Sequence, residues 1–114
     1  MAVFEEAKKA FEEIFAKAVE KLPEIKTWNK VYQFIVEDTG EKFYVEISNG
    51  QVKVEQGEHP NPIAVLSMTS DVLKQILTGE LDAMKAFIMR KIKITKNVLD
   101  TMNLKKLLDA GIKG

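Results

Sequence analysis

Side chains that could carry out chemistry are few in this sequence, and their spacing matches no catalytic pattern. The chain has 114 residues with a single His and no Cys, which excludes a thiol nucleophile, a zinc–thiolate site and a disulfide. His59 lies in the loop GEHPNP, and a Ser–His–acid arrangement would require it to meet Ser48, Ser67 or Ser70. None of these serines is flanked by a nucleophile-elbow pattern. We therefore predict no catalytic residue, no metal ion and no cofactor, in a protein that is not an enzyme.

Acidic residues are numerous, but they follow the pattern of solvated helix surfaces. Pairs such as Glu5/Glu6 and Glu12/Glu13 alternate with Lys on the polar side of an amphipathic segment, which is typical of a helix face exposed to water. Gly79 stands alone before a predicted helix and lacks the glycine-rich context of a phosphate-binding loop. The sequence thus indicates neither paired acid–base carboxylates nor a phosphate site.

Large, flexible apolar side chains are concentrated in one part of the chain. Four of the five Met lie between positions 68 and 102, interleaved with Leu, Ile and Phe. Unbranched Met side chains adapt to irregular spaces. Two interpretations follow: these residues fill a core between helices and a sheet, or they form the wall of a cavity that holds an apolar ligand.

The charge balance excludes some partners and suggests others. The chain carries 17 Lys/Arg and 17 Asp/Glu, so it lacks the basic excess of a dedicated nucleic-acid-binding protein. Residues 83–114 nevertheless hold eight Lys/Arg against Asp100 and Asp109, a charge of +6, which leaves −6 for residues 1–82. The acidic N-terminus does not resemble a signal peptide, and no apolar run reaches the ~20 residues of a membrane span. We expect a cytoplasmic protein that does not bind nucleic acid.

Hydrophobic periodicity predicts helices and strands in the order α–β–β–β–β–α–α–β–α. Apolar residues at three- and four-residue steps predict an N-terminal amphipathic helix over 1–22, which Pro23 ends, and a closing helix over 97–111, with Gly111 at its end. Asn49–Gly50 is a strong hairpin signal. With no linker or repeat, residues 1–114 are predicted to form one α+β domain, whose single, mostly antiparallel sheet is covered on one face by helices.

The residues 66–108, LSMTSDVLKQILTGELDAMKAFIMRKIKITKNVLDTMNLKKLL, closely resemble the sterol carrier protein-2 family of nonspecific lipid-transfer proteins. Four pieces carry the resemblance: a strand ending in Met68 before TSDVLKQILTG, the LDAMKAF helix, the KIKI strand and the closing NVLDTMNLKKLL helix. Upstream, WNKVYQFIVEDTGEKFYVEISNGQVKVEQG looks like the three leading strands of that family. The resemblance is generic over the N-terminal helix.

The resemblance implies a five-stranded sheet and about four to five helices around an apolar tunnel for fatty acyl chains, acyl-CoA or sterols. The residues expected to line the tunnel are Phe34, Phe43, Val45, Met68, Leu73, Ile76, Leu77, Leu81, Met84, Phe87, Ile88, Ile92, Val98 and Met102. The residues expected at its mouth, facing a ligand headgroup, are Arg90, Lys91 and Lys96.

Two positions depart from the family pattern, which often has Gly where this chain has Arg90 and Lys96. Because Gly reaches positive φ without steric cost, the two turns are expected to differ in shape. The substitutions also add positive charge beside the expected mouth. The last residues, IKG, differ from the peroxisomal tripeptide that some relatives carry.

The expected function is to bind acyl chains, acyl-CoA or sterol-like lipids and to carry or present them without catalysis. The basic C-terminal part suggests a transient contact with a membrane surface; alternatively, Lys91 and Lys93 only protect an exposed strand from edge pairing. A second hypothesis is a non-catalytic dimerising or docking module with a filled core, part of a larger lipid-metabolism assembly. Interior volume distinguishes the two, and we expect a monomer or weak homodimer.

Overall fold

Alternating apolar and polar residues along five strands build a sheet with one buried face. The computed structural model describes residues 3–112. The strands are β1 Asn29–Val36, β2 Lys42–Ser48, β3 Gln51–Gln56, β4 Ala64–Met68 and β5 Lys93–Lys96, in the spatial order β3-β2-β1-β4-β5. All neighbouring pairs are antiparallel except β1 and β4, which are parallel. The predicted α+β class and mostly antiparallel sheet are confirmed.

Within residues 3–112, four α-helices and one 3-10 helix accompany the sheet. They are α1 Val3–Lys21, the 3-10 helix Pro23–Thr27, α2 Ser70–Thr78, α3 Ala83–Ile88 and α4 Thr101–Ile112. The predicted closing helix over 97–111 began too early, because residues 98–100 form a turn in which Asn97 Oδ1 accepts a hydrogen bond from the Asp100 amide (2.9 Å). Positions 1 and 2 of the predicted N-terminal helix lie outside the described residues.

A crossover loop explains how β1 acquires a parallel neighbour. After β3, residues 57–63 return over the outer face of the sheet before β4 begins beside β1. The amide of Gln33, which is only 4% exposed, fixes this loop: it donates to the Gly57 carbonyl (2.9 Å) and accepts from the His59 amide (2.8 Å). The His59 ring packs edge-on against Tyr44. Gln33 thus satisfies backbone groups that a loop on this face would otherwise leave unpaired.

One half of the buried face is packed solidly beneath α1. Phe34 and Phe43 stack with ring centroids 5.0 Å apart, and Phe11 of α1 lies 5.4 Å from the Phe34 ring. On its other side α1 meets α4 at Gly111, where an added Cβ would overlap the backbone carbonyl of Ile14. Gly111, predicted at the end of the last helix, instead lies within it and permits this close approach.

Candidate functional site

The other half of the buried face is less completely filled. An apolar cavity of about 100 Å³ lies between β1, β4 and β5 on one side and α2, α3 and α4 on the other. Leu66 and Met68 contribute to its floor from β4, while Leu73 and Ile76 contribute from α2. The volume is below the roughly 300–1,000 Å³ of typical small-molecule sites. A small apolar cavity thus lies where the apolar tunnel was expected.

Ten of the fourteen residues predicted to line the tunnel border this cavity. They are Phe34, Met68, Leu73, Ile76, Leu77, Met84, Phe87, Ile92, Val98 and Met102. They come from β1, β4, α2, α3, the segment before β5, the turn after β5 and the start of α4. Their role as ligand contacts stays a prediction.

The other four predicted residues lie elsewhere, which corrects the expectation. Phe43 and Val45 do face inward from β2, but that part of the sheet is solidly packed: Phe43 contacts Phe4, Phe11 and Phe34. Leu81 faces a separate depression between the α2–α3 connection and α4. Ile88, the last residue of α3, is 69% exposed. Alternation identifies an inward-facing strand residue, but it does not show which helix covers that residue.

Eight lining residues were not predicted. They are Phe11, Leu66, Ala83, Ile94, Thr101, Leu104, Lys105 and Leu108. Leu66 and Ile94 share the alternation phase of Met68 and Ile92, so the strand pattern contained the signal. Leu104 and Leu108 are four positions apart on one helix face. Nothing in the apolar pattern marked Lys105.

Hydrogen bonds at the helix starts position the walls of the cavity. Thr69 caps α2 by accepting from the Val72 amide (3.3 Å), and Asp38 accepts from the Ser70 amide (2.8 Å) and hydroxyl (2.6 Å). The hydrogen bond from the Ser70 hydroxyl is the main cause of a lowered pKa at Asp38. Asp82 caps α3 by accepting from the Lys85 amide (3.1 Å). These caps fix where α2 and α3 begin.

Only two of the described lining residues have polar side chains, and both are engaged. The Thr101 hydroxyl donates to the Val98 carbonyl (2.5 Å). Lys105 Nζ donates to Asp109 (2.5 Å) and lies 3.3 Å from Asp82. The Asp109 hydrogen bond, aided by Asp82 and opposed by burial, raises the pKa of Lys105. The cavity therefore offers an apolar surface beside a cation already surrounded by carboxylates.

A mostly buried ion pair holds the segment before α4 against the sheet. Asp100 accepts hydrogen bonds from Lys30 Nζ (2.7 Å) and from the hydroxyl of fully buried Tyr32 (2.6 Å). Burial opposes ionisation of Asp100, but these two hydrogen bonds, the charge of Lys30 and a hydrogen bond from Asn103 together outweigh it and lower the pKa of Asp100. Burial first, and the Asp100 carboxylate second, raise the pKa of Tyr32. This contact positions Val98 and Met102 beside the cavity.

Apolar side chains surround the opening of the cavity. Phe87, Val98 and Met102 all line it, yet each is about two-fifths exposed to solvent. Their neighbours Ile88, Met89 and Leu99 are more exposed still, and Leu99 reaches 81%. The cavity thus meets the solvent between α3 and the start of α4.

The sequence model of the SCP-2 sterol transfer family matches residues 10–109. This match covers most of the chain. The chain belongs to the SCP-2 sterol transfer family. A comparison with curated protein sequences found no match.

Solved structures share the SCP-2 fold with this chain at low sequence identity. Sterol carrier protein 2 from Yarrowia lipolytica, in its apo form, is 17% identical, with a TM-score of 0.63 over 98% of this chain and 91% of that one. Sterol carrier protein-2 from Aedes aegypti, in complex with the C16 fatty acid palmitate, is 23% identical, with a TM-score of 0.64 over 89% and 96%. The inverting sec-alkylsulfatase Pisa1 from Pseudomonas sp. is 19% identical, with a TM-score of 0.64 over 82% of this chain. This chain spans only 14% of that enzyme.

The two positions that depart from the SCP-2 family pattern keep the backbone conformation of glycine. Arg90 has a φ of 62° and Lys96 a φ of 68°, the left-handed region that disfavours side chains. Neither residue lines the cavity, nor does Lys91, and all three are exposed. Lys96 Nζ donates to the Pro62 carbonyl (3.4 Å). Their predicted role beside a ligand headgroup stays a prediction.

The polar residues considered for catalysis are dispersed in this SCP-2 fold. His59 Nδ1 accepts from the Asn61 amide (3.0 Å) on the outer face of the sheet. The Ser67 hydroxyl donates to Glu37 (2.8 Å), and the Ser70 hydroxyl to Asp38. Within residues 3–112, no group of three or more His, Cys, Asp or Glu is arranged to hold a metal ion. No helix in this range has the length and apolar character needed to cross a bilayer.

Proposed function

We propose that this protein binds the hydrocarbon part of a lipid in the cavity and carries it, without catalysing a reaction. The observation that carries the proposal is the lining: apolar side chains from sheet and helices surround a space that opens to the surface, with Thr101 and Lys105 as its only polar members among the described residues. Membership of the SCP-2 sterol transfer family supports it. So does the palmitate complex of the Aedes aegypti protein with the same fold.

Transfer of methylene groups from water supplies the binding free energy. Each CH₂ moved into an apolar environment contributes about 0.8 kcal/mol. A chain of several methylenes therefore binds without a specific polar contact. Selectivity then depends on the length and width of the space rather than on hydrogen bonds.

The polar lining determines the ligand's orientation. A carboxylate or phosphate placed inside would need a free donor to offset its desolvation, but Lys105 already faces Asp82 and Asp109. The Thr101 hydroxyl is donated to Val98. We infer that the tail enters and the headgroup stays at the opening. Fatty acids, acyl-CoA and sterols are all compatible, because their polar groups lie at one end.

Binding a long chain requires the cavity to widen. At about 100 Å³ it accommodates only part of a long acyl chain. The wall best suited to move is α3, a helix of six residues, Ala83–Ile88, in which only Ala86 is buried. Few buried apolar contacts favour local opening. Two ion pairs, Asp82–Lys105 at the start of α3 and Asp100–Lys30 before α4, then stay in place while α3 moves.

A docking module with a filled core is the second candidate, and the small volume favours it. Met84, Phe87 and Met102 narrow the cavity, whereas Met89 does not line it and is 56% exposed. The match to about one-seventh of an alkylsulfatase chain shows that this fold also occurs inside a larger enzyme.

Ligand binding in solution separates the two candidates. Native mass spectrometry of the purified protein, before and after delipidation, is paired with displacement of a fluorescent C16 fatty acid by palmitate, palmitoyl-CoA and cholesterol. Saturable one-to-one displacement and a co-purifying lipid mass are expected. If the delipidated protein shows no saturable uptake of any of these ligands, lipid carriage is excluded and the docking module is the remaining candidate.

A further inference from the structure

The exposed apolar side chains of this protein form one surface rather than a scatter. Within residues 3–112, all six large apolar residues with substantial exposure lie between positions 87 and 102. Three of them, Phe87, Val98 and Met102, share the lining of one cavity and so stand around its opening. The more exposed Ile88 and Met89 directly follow Phe87 in the chain, and Leu99 directly follows Val98, which places them beside the opening. Contiguous exposed apolar surface of this kind marks an interaction site.

The same stretch of chain is uniformly basic. Residues 83–99 contain Lys85, Arg90, Lys91, Lys93 and Lys96 and no Asp or Glu. Lys93 is directed towards Glu37 (3.9 Å) on the outer face of the sheet, and Lys96 towards the Pro62 carbonyl. Arg90 and Lys91 are exposed and make no ion pair with another described residue. Two unpaired cations therefore directly follow the exposed end of α3.

We propose that this surface docks onto an anionic lipid bilayer, with Ile88 and Leu99 inserted among the acyl chains and Arg90 and Lys91 at the headgroups. The combination of protruding apolar side chains and adjacent cations is the pattern that binds an anionic membrane interface. Because the cavity opens within this surface, a lipid tail passes between bilayer and cavity without crossing water. The inference rests on the proposed lipid-binding function and adds where and on what the protein docks.

Charge favours a bilayer over a second copy of the chain. A two-fold dimer through this surface would bring the Arg90 and Lys91 region close to its own symmetry mate, and like charges across an interface are unfavourable. Helix α1 is a poor alternative for membrane contact. Most of its apolar residues, including all of its Phe and Ile, are buried, and its polar residues comprise five Glu and four Lys.

The test compares vesicle binding by three double variants. Vesicles are made of phosphatidylcholine alone or mixed with phosphatidylglycerol, and binding is measured by flotation. Ile88→Ser with Leu99→Ser removes the inserted side chains, and neither residue lines the cavity. Arg90→Gln with Lys91→Gln removes two cations, and Lys9→Gln with Lys17→Gln on exposed positions of α1 is the charge-matched control.

The expected results distinguish insertion, charge and ligand binding. The apolar variant loses about tenfold in vesicle affinity for each side chain. The basic variant loses about fivefold for each cation, on anionic vesicles only and less at high salt. The α1 control binds vesicles like the wild type, and both the apolar variant and the α1 control keep the wild-type affinity for a fluorescent fatty acid in solution.

Three outcomes would overturn the docking proposal. They are wild-type protein that does not bind anionic vesicles, an apolar variant that binds vesicles as well as the wild type, and an α1 control that loses as much vesicle affinity as the basic variant. If the wild type sediments as a dimer and the apolar double variant, Ile88→Ser with Leu99→Ser, sediments as a monomer, the surface binds a second copy of the chain instead. Failure of the wild-type protein to bind the fatty acid would contradict the proposed function, and it is measured separately from vesicle binding.

Discussion

Tyr32, at the buried centre of β1, donates a hydrogen bond of 2.6 Å to Asp100 in the turn before α4. This contact joins two residues 68 positions apart and attaches the cavity's outer wall to the sheet. Lys30 neutralises the same carboxylate from a distance of 2.7 Å. The position of Val98 and Met102 beside the cavity thus depends on one polar cluster.

Asp100→Asn is expected to destabilise the fold by about 3 kcal/mol at neutral pH, because it leaves the Lys30 ammonium mostly buried without its counter-charge. It should also change the acid dependence. The folded-state pKa of Asp100 is lowered, so its stabilisation is complete above the unfolded pKa of about 3.9 and is lost as pH falls through the folded value.

Urea unfolding from pH 7 down to pH 2 measures both effects. The wild type should lose stability below about pH 4, and the variant should lose less, since that contribution is already gone. Asp38 and Glu41, whose pKa values are also lowered, maintain part of the acid sensitivity in the variant. Exposed Glu20→Gln serves as the control. Parallel wild-type and Asp100→Asn curves over this range would contradict the interpretation.

Arg90→Gly is expected to stabilise the protein by roughly 0.5–1 kcal/mol. The φ of 62° costs an L-residue roughly 1–2 kcal/mol that glycine does not incur, although the more flexible unfolded chain offsets part of the gain. The matched control is Lys91→Gly, next in sequence and without positive φ, which should destabilise. Thermal unfolding of both variants decides the point, and equal destabilisation by the two would contradict it.

Gln33→Leu is expected to cost about 2–3 kcal/mol, although Leu is apolar and of similar size. The substitution leaves the Gly57 carbonyl and the His59 amide without their side-chain partner beneath the crossover loop. Gln51→Leu, at an exposed hairpin position, should change stability by less than about 0.5 kcal/mol. Chemical denaturation measures both variants, and similar midpoints would show that the Gln33 network contributes little.

The sequence predicted the helices and strands of this fold better than it predicted the size and lining of the cavity. Asn49 and Gly50 both have positive φ, as a type I′ hairpin turn requires. The alternation of apolar residues along β2 matches its buried face. Local patterns determine such features, since each depends on a few neighbouring residues. The resemblance to the SCP-2 family implied that Phe34, Met84 and Phe87 lie around one space, and all three border the cavity.

Tertiary packing decided what the sequence could not. Phe43 and Met68 have the same inward phase, yet Phe43 packs against α1 whereas Met68 borders the cavity, and no local pattern states which helix lies over which strand. Lys105 borders the cavity because Asp82, from another helix start, pairs with it across the wall. Arg90 was expected to change its turn, but the backbone retains positive φ, and the amides of Arg90 and Lys91 donate back to the carbonyls of Phe87 (3.0 Å) and Ala86 (2.8 Å).

If the cavity holds the ligand's tail, larger side chains that fill the cavity should prevent binding. Leu66 projects into the space from the centre of β4, where strand geometry fixes its direction. Leu66→Phe and Leu66→Trp occupy increasing fractions of the volume, whereas Leu99→Trp adds the same group outside the lining at an 81% exposed position. Thermal unfolding confirms that each variant is folded.

Displacement of a fluorescent C16 fatty acid by palmitate is then measured for each folded variant. We expect progressive loss of affinity from Leu66→Phe to Leu66→Trp, reaching at least about tenfold, which corresponds to about 1.4 kcal/mol. Leu99→Trp should bind the fatty acid like the wild type. Folded Leu66→Trp protein with wild-type affinity would show that the ligand binds outside the cavity.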